Sequence, residues 1–253
     1  MNDINDLPYI SLCMPVSGRR EFKRLIISNL HRQDYPKEKI EFVIDCDGST
    51  NENKNKLIKD DIELENFKTA IYPIKLSYNF YNGKKSIGEK RNRLVKIAKH
   101  KLIAFLDSDD LYLESYLKYS YKFMKENNYN LVGSNQMLFV FPPENYEDKW
   151  LLTGIRCKDK RMCHEATMMF TKKHFKAMGG FMKGSEGEGT GMVDGMNEKT
   201  IGLTDIQHCM VCICHPSNTI DKDRFKTADV IDGRLNEFDK IIIHKILYPN
   251  KIK

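Results

Sequence analysis

What this chain has little of narrows it first. It carries one tryptophan and eight prolines in 253 residues. No apolar run approaches the roughly twenty residues that a membrane span requires, and "IIIHKIL" near the end is too short. The cysteine count of seven is odd and shows no paired spacing, so a disulfide framework is not expected. Cys209, Cys212, Cys214 and His215 crowd together, but no second pair follows at zinc-knuckle distance, which favours buried thiols in a reducing cytoplasm. The acidic opening "MNDINDLP" lacks a signal-peptide pattern. Neither sign of charge dominates: the net charge of +6 is modest for this length. No nucleic-acid partner is expected, while an anionic ligand or peripheral contact with a membrane surface fits the lysine excess. No internal repeat, low-complexity segment or clear linker is present.

What is there alternates. "YISLCMP" reads as a strand, "REFKRLIISNLHRQ" as a helix, and "KIEFVIDCDGS" as a strand running into a turn. "KTAIYPIKL" reads as a third strand, "SIGEKRNRLVKIAKH" as a helix and "KLIAFLD" as a strand. The alternation predicts an α/β fold with a central, mostly parallel mixed sheet flanked by helices. Ligands bind such sheets beyond the carboxyl ends of the strands, where Pro15, Asp45 to Asp47 and Asp107 to Asp110 all fall. After Tyr129 the pattern loosens. "NLVGSNQMLFVF", "CHEATMMF" and "CMVCICH" read as further strands, and the "FPPENYEDKW" region reads as a seam.

"IAFLDSDDLY", residues 103–112, places Asp107, Asp109 and Asp110 around Ser108 at the end of an apolar strand. Carboxylates this close repel. Either they cap the helix predicted in "SDDLYLESYLKYSYKFMKE", with Leu113, Leu117 and Tyr121 on one face, or a hard divalent cation sits among them. Upstream, Ser86 and Gly88 open a basic helix whose N-terminal N–H groups suit phosphate. Arg91 and Asn92 are its candidate ligand contacts, and Lys96 and Lys99 a solvated face.

Five motifs in order resemble the inverting glycosyltransferases of family 2 with the GT-A fold, a Rossmann-like architecture. They are "ISLCMPVSGRR", "YPKEKIEFVIDCDGSTN", "SIGEKRNRLV", "FLDSDD" and "AMGGF", and the likeness covers about residues 8 to 220. Cys46 stands where that family usually has the first Asp of D-D-G-S, and the acidic dipeptide after G-G-F is not obvious.

The resemblance implies a nucleotide-sugar half (1–110) and an acceptor half (111–253) of one compact domain. It implies a UDP-sugar donor, a glycan or other hydroxyl-bearing acceptor, and Mn2+ or Mg2+. Pro15, Val16, Arg19, Asp45, Asp47, Arg91, Asn92, Asp107 and Ser108 would meet the nucleotide, with either Asp45 or Asp47 on the base. Asp109, Asp110 and a late histidine, His215, would hold the metal, unless His215 is a loop residue held by Asn218. The general base is expected shortly after G-G-F, at Glu188, with Glu186 and Asp194 as competitors. The glycines of "KGSEGEGTGMVDG" would let that loop close as a lid. Two other readings stand beside this one. "FVIDCDGST" also resembles the first motif of haloacid-dehalogenase-type phosphatases, with Asp45 as nucleophile and Asp47 as acid/base. A sugar-binding GT-A module without catalysis is the other.

Overall fold

A computed structural model of the chain describes residues 6–48, 56–159, 161–231 and 235–251. The sheet is built around two long, buried strands. β1 (Ile10–Val16) and β2 (Ile40–Gly48) pair in parallel and are buried almost end to end, as strands covered on both faces must be. Their side chains divide by alternation. Leu12, Met14, Phe42 and Ile44 enter one core, while Cys13 and Val43 enter the other with Phe105, Leu94 and Val95.

β3 (Lys75–Asn82) and β4 (Leu102–Phe105) flank this pair in parallel. Beyond β4, β9 (Met169–Thr171) runs antiparallel, followed by β6 (Leu131–Gly133) and β10 (Gly202–Leu203). The seven strands lie in the order β10-β6-β9-β4-β1-β2-β3. The main sheet therefore draws strands from both sides of residue 110. A five-stranded sheet, β12-β8-β7-β11-β5, uses β5 (Leu111–Tyr112), β7 (Gln136–Phe141), β8 (Leu151–Arg156), β11 (Met210–Ile213) and β12 (Asp229–Val230). The helices are α1 (Lys23–Arg32), α2 (Asp61–Ile71), α3 (Ile87–Ile97), α4 (Tyr116–Glu126), α5 (Lys172–Met178), α6 (Thr190–Val193) and α7 (Glu237–Leu247). None of the described helices is long and apolar enough to cross a membrane.

Several local expectations change. The first half of "KTAIYPIKL" is helical: Asp60 caps α2 by accepting the Glu63 N–H, and Phe67 and Ile71, four residues apart, bury one face. The strand begins only at Lys75. The acid stretch caps no helix, because Leu111 and Tyr112 pair with Val211 and Met210, and α4 starts at Tyr116. "NLVGSNQMLFVF" divides into β6 and β7. The "FPPENYEDKW" region connects the antiparallel strands β7 and β8. No disulfide joins the cysteines among the described residues. Ser49 and Thr50 of the D-G-S-T turn lie outside the described residues.

Candidate active site

The carboxyl ends of β4, β1 and β2 lie side by side, so the acid stretch and the two Asp residues of β2 share one crevice. Asp45 and Asp47 are fully buried, and a carboxylate without water requires a partner. Helix α3 supplies both. Arg93 grips Asp45 with two bonds of 2.8 Å, its guanidinium lying 3.9 Å from the Tyr81 ring centroid. Lys90 donates to Asp47 Oδ1 at 3.0 Å and to the Val16 carbonyl at 3.2 Å, tying the end of β1 to the end of β2. The Lys85 N–H reaches Asp47 Oδ2 at 2.7 Å, and the Ser17 hydroxyl donates to the Asp47 carbonyl at 3.0 Å. Burial raises the Asp45 carboxyl, against the pull of Arg93. Lys90 and Arg93 were not singled out in the sequence. The signal was available: two strand-end Asp residues need cations, and α3 holds the nearest cluster.

Arg91 is the hub. Its Nη2 donates to both oxygens of Asp107 (3.1 and 3.2 Å), and its Nε donates to Glu188 Oε1 at 3.1 Å. Burial alone would pull this guanidinium down, but Asp107, Glu188 and Glu165 more than offset it, so it stays charged. Its Nη1 is buried without a partner, as is the Nδ1 of His164, a ring that feels the charges of Asp107, Arg91 and Glu188. Burial drops His164 to about 4, leaving it neutral. The turn after His164 links both carboxylates. Tyr112 Oη accepts the Asp107 N–H and donates to the Ala166 carbonyl, while Glu165 Oε1 accepts the Gly189 N–H at 3.0 Å. His164 and Glu165 also escaped the sequence reading, because nothing local marks them.

Of the three candidates after G-G-F, Glu188 is buried against Arg91, whereas Glu186 and Asp194 are exposed. Burial raises the Glu188 carboxyl, with Arg91 opposing and Glu165 adding to the rise. The glycine-rich loop is pinned rather than free. The N-terminal N–H groups of α3 are taken up by it and by a capping box: Gly88 donates to the Gly184 carbonyl, Ile87 to Ser185 Oγ, and Glu89 to Ser86 Oγ. They are not open to phosphate. Asn92 holds the Phe181 backbone with both ends of its amide (2.8 and 2.9 Å). A Cβ at Gly88 would collide with the Met182 carbonyl, and one at Gly180 would stand 2.6 Å from Asn92 Oδ1. Gly88 serves close approach and Gly180 both close approach and a positive φ of 95°, while Gly187 and Gly195 in the loop itself take positive φ.

The acid stretch divides. Asp109 Oδ2 is the meeting point of Arg19 Nη1, His215 Nε2 at 3.1 Å and Asn218 Nδ2 at 3.2 Å. Arg19 also donates to the Ser217 carbonyl at 3.0 Å. Asp110 turns inward: its Oδ1 accepts the Ile213 N–H at 3.1 Å, and burial pushes it up to about 6. Asp107 and Ser108 sit at the crevice floor, with Asp107 partly exposed and Ser108 buried. Pro15 and Val16 close β1 beside them.

His215 carries a conflict that bears on a metal. Burial and Arg19 drop it to about 4, so the ring is neutral. Asn218 Nδ2 lies 2.9 Å from His215 Nε2, the same nitrogen that faces Asp109 Oδ2. If Nε2 carries the proton, it meets the Asn218 donor. If Nδ1 carries it, toward Ser217 Oγ at 2.9 Å, Nε2 faces a carboxylate with two lone pairs opposed. A cation relieves the second arrangement. Neighbouring ligands on an octahedral ion with bonds of about 2.1 Å stand about 3 Å apart, which suits this Asp–His pair. Among the described residues, no three His, Cys, Asp or Glu side chains gather closely enough to hold an ion alone. The pair would need ligands from a bound molecule.

Acidic and basic side chains thus meet at the strand ends of an α/β sheet, where such folds bind ligands. Residues 11–178 match the model of glycosyl transferase family 2, and the chain belongs to that family. It is 32% identical over 120 residues to an uncharacterized glycosyltransferase of Rickettsia bellii, covering 47% of this chain and 16% of the relative. It is 28% identical over 154 residues to an uncharacterized glycosyltransferase of Methanocaldococcus jannaschii, covering 57% of this chain and 50% of the relative. The chain thus spans half or less of these curated relatives. Among solved structures, S. aureus TarS 1-349 in complex with UDP-GlcNAc superimposes with a TM-score of 0.60 at 17% identity, covering 96% of this chain and 72% of that one. The mannosyltransferase PcManGT of Pyrobaculum calidifontis, in complex with GDP-Man and Mn2+, gives 0.57 at 14% identity, covering 88% and 60%. These likenesses establish the GT-A fold. The phosphatase reading falls with the family assignment, and Asp45, with both oxygens held by Arg93, offers no free nucleophile.

Proposed function

We propose that this chain is an inverting glycosyltransferase that moves a sugar from a UDP-sugar to an acceptor hydroxyl, with Mn2+ or Mg2+ at the donor diphosphate. The observation that carries the reading is the Asp107–Arg91–Glu188 chain. One guanidinium joins the acid stretch of the donor half (1–110) to a buried carboxylate of the acceptor half (111–253). The uridine nucleotides bound by TarS support the donor class, and PcManGT supports the metal. Cysteines without disulfides among the described residues fit a reducing cytoplasm.

Pro15, Val16 and Asp47, or Asp45, border the base, with Lys90 and Arg93 fixing the two carboxylates. Asp107 and Ser108 lie toward the ribose, and Arg91 orients Asp107. Arg19, freed from Asp109, would be available to phosphate. Asn92 acts by holding the loop that carries Glu188. Asp109 and His215 would hold the divalent ion, while Asp110 supports the acid stretch from behind. When bound, the ion supplies Lewis-acid neutralisation of charge on the departing diphosphate. Glu188, made more basic by burial and aimed by Arg91, takes the acceptor hydroxyl proton. The acceptor oxygen then bonds to the anomeric carbon as the bond to the diphosphate breaks.

A panel of nucleotide sugars with Mn2+, scored for nucleoside diphosphate release, tests the reading. Release from at least one UDP-sugar is expected. Binding without release would favour the non-catalytic module, and no binding of any nucleotide would overturn the reading.

A further inference from the structure

Gly189 follows the buried Glu188, and its backbone does not require a glycine: φ is −66° and ψ −18°, which any residue adopts. Space requires it. A Cβ there would stand 2.6 Å from Glu165 Cγ, 2.9 Å from Glu165 Oε1 and 2.9 Å from Met168 Cε. The missing side chain lets the Gly189 N–H reach Glu165 Oε1 at 3.0 Å. Glu188 is thereby held at three points. Its carbonyl accepts the Met182 N–H at 2.9 Å, the N–H that follows it goes to Glu165, and its carboxylate meets Arg91 Nε at 3.1 Å. Glu165 itself opens a fastened turn, Glu165–Thr167. The His164 N–H donates to the Ser134 carbonyl at 2.8 Å, and Thr167 Oγ1 accepts the Ser134 N–H at 2.8 Å. The hydroxyls of Tyr112 and Tyr116 donate to the carbonyl of the buried Ala166 at 3.0 and 3.4 Å.

Satisfying one backbone N–H needs an acceptor and not a charge. Glu165 is nevertheless a carboxylate, and among the described residues its side chain makes that one hydrogen bond and no ion pair, since Arg91 is taken by Asp107 and Glu188. We propose that Glu165 is a positioning residue for the transfer: it fixes the backbone at Glu188 and sets a second negative charge beside the carboxylate that takes the acceptor proton. The inference rests on Glu188 as the base in the reading above. Arg91 on α3 favours the ionised form of Glu188 and so weakens it as a base, and Glu165 on the turn works against Arg91. His164 also faces Glu188, and burial, which drops it to about 4, keeps it neutral. The acceptor proton goes to Glu188, and Glu165 takes none.

The full chain, Glu165→Gln, Glu165→Ala and Gly189→Ala test this. The titration of Glu188 is followed by 13C NMR of carboxyl-labelled glutamate, assigned with Glu188→Gln, beside pH profiles of UDP-sugar turnover and binding of UDP. Glu165→Gln keeps the acceptor and removes the charge. It should lower the Glu188 titration midpoint by about half a pH unit or more, move the acid limb of kcat/KM down with it, and leave UDP binding unchanged. Glu165→Ala and Gly189→Ala, which also break the hold on the backbone, should lower kcat on the order of 10- to 100-fold with the donor KM little changed. Thermal midpoints separate misplacement from lost folding. A Glu188 midpoint that stays at the wild-type value in Glu165→Gln would overturn the proposal and leave the transferase reading intact. A midpoint that moves, without turnover of any nucleotide sugar by wild type, would sink the transferase reading and the role in transfer with it.

Discussion

Glu188 and Arg91 are each buried, and Arg91, which also holds Asp107, is the cation paired with Glu188. Glu188→Gln keeps shape and a hydrogen-bond acceptor while removing the charge that receives a proton. UDP binding should persist, and transfer should fall by a factor on the order of 10² or more. Glu186→Gln and Asp194→Asn, altering exposed side chains, should leave turnover near normal; the reverse pattern would move the base to one of them. The acid stretch offers a second contrast. Asp109→Ala should abolish the Mn2+ dependence of UDP binding measured by calorimetry. Asp110→Asn, which can still accept the Ile213 N–H, should retain it. Loss in both variants would return Asp110 to the metal.

Helix α3 and the loop after G-G-F act as one piece. The helix gives its N-terminal N–H groups to the loop, Asn92 clasps Phe181, and Gly88 lets the Met182 carbonyl approach. Gly88→Ala forces that backbone away and with it Glu188. A loss of about 1–3 kcal/mol in unfolding free energy is expected from overpacking, with a larger fractional loss of transfer than of UDP binding. Gly184→Ala is the control, since a Cβ there meets nothing nearer than the Glu186 carbonyl at 3.7 Å. If the two variants lose equal stability, close packing at Gly88 is not the reason for that glycine.

Across the molecule, buried titratable groups shape the acid response. His164 falls from its usual 6.5 to about 4 through burial, so between those values the folded chain binds fewer protons than the unfolded chain. Its stabilising contribution is whole above 6.5 and is lost as the pH falls toward 4. Asp110, pushed up to about 6, has the opposite sign: its buried charge is relieved as the pH falls through 6. His164→Gln should therefore lose less thermal stability than wild type between pH 7 and pH 4.5. Parallel melting curves over that window would show that His164 does not titrate as described.

The sequence by itself determined what depends on near neighbours. Apolar-rich "YISLCMP" and "KIEFVIDCDGS" marked the buried strands, Ser86 and Gly88 marked a helix start, and "FLDSDD" marked the crevice by crowding like charges at a strand end. The order of motifs was enough to suggest the family. Where a helix and a short strand competed, as at Lys68–Ile71 and Leu111–Tyr112, local pattern did not decide, because pairing with Val211 and Met210 lies far along the chain. Only the tertiary structure decided which charges meet. Arg91 finds Glu188 at a separation of 97 residues, Arg19 finds Asp109 at 90, and Asp110 finds Ile213 at 103. Such contacts follow from sheet order and register, which bring distant strand ends together, and no periodicity within a single element encodes them.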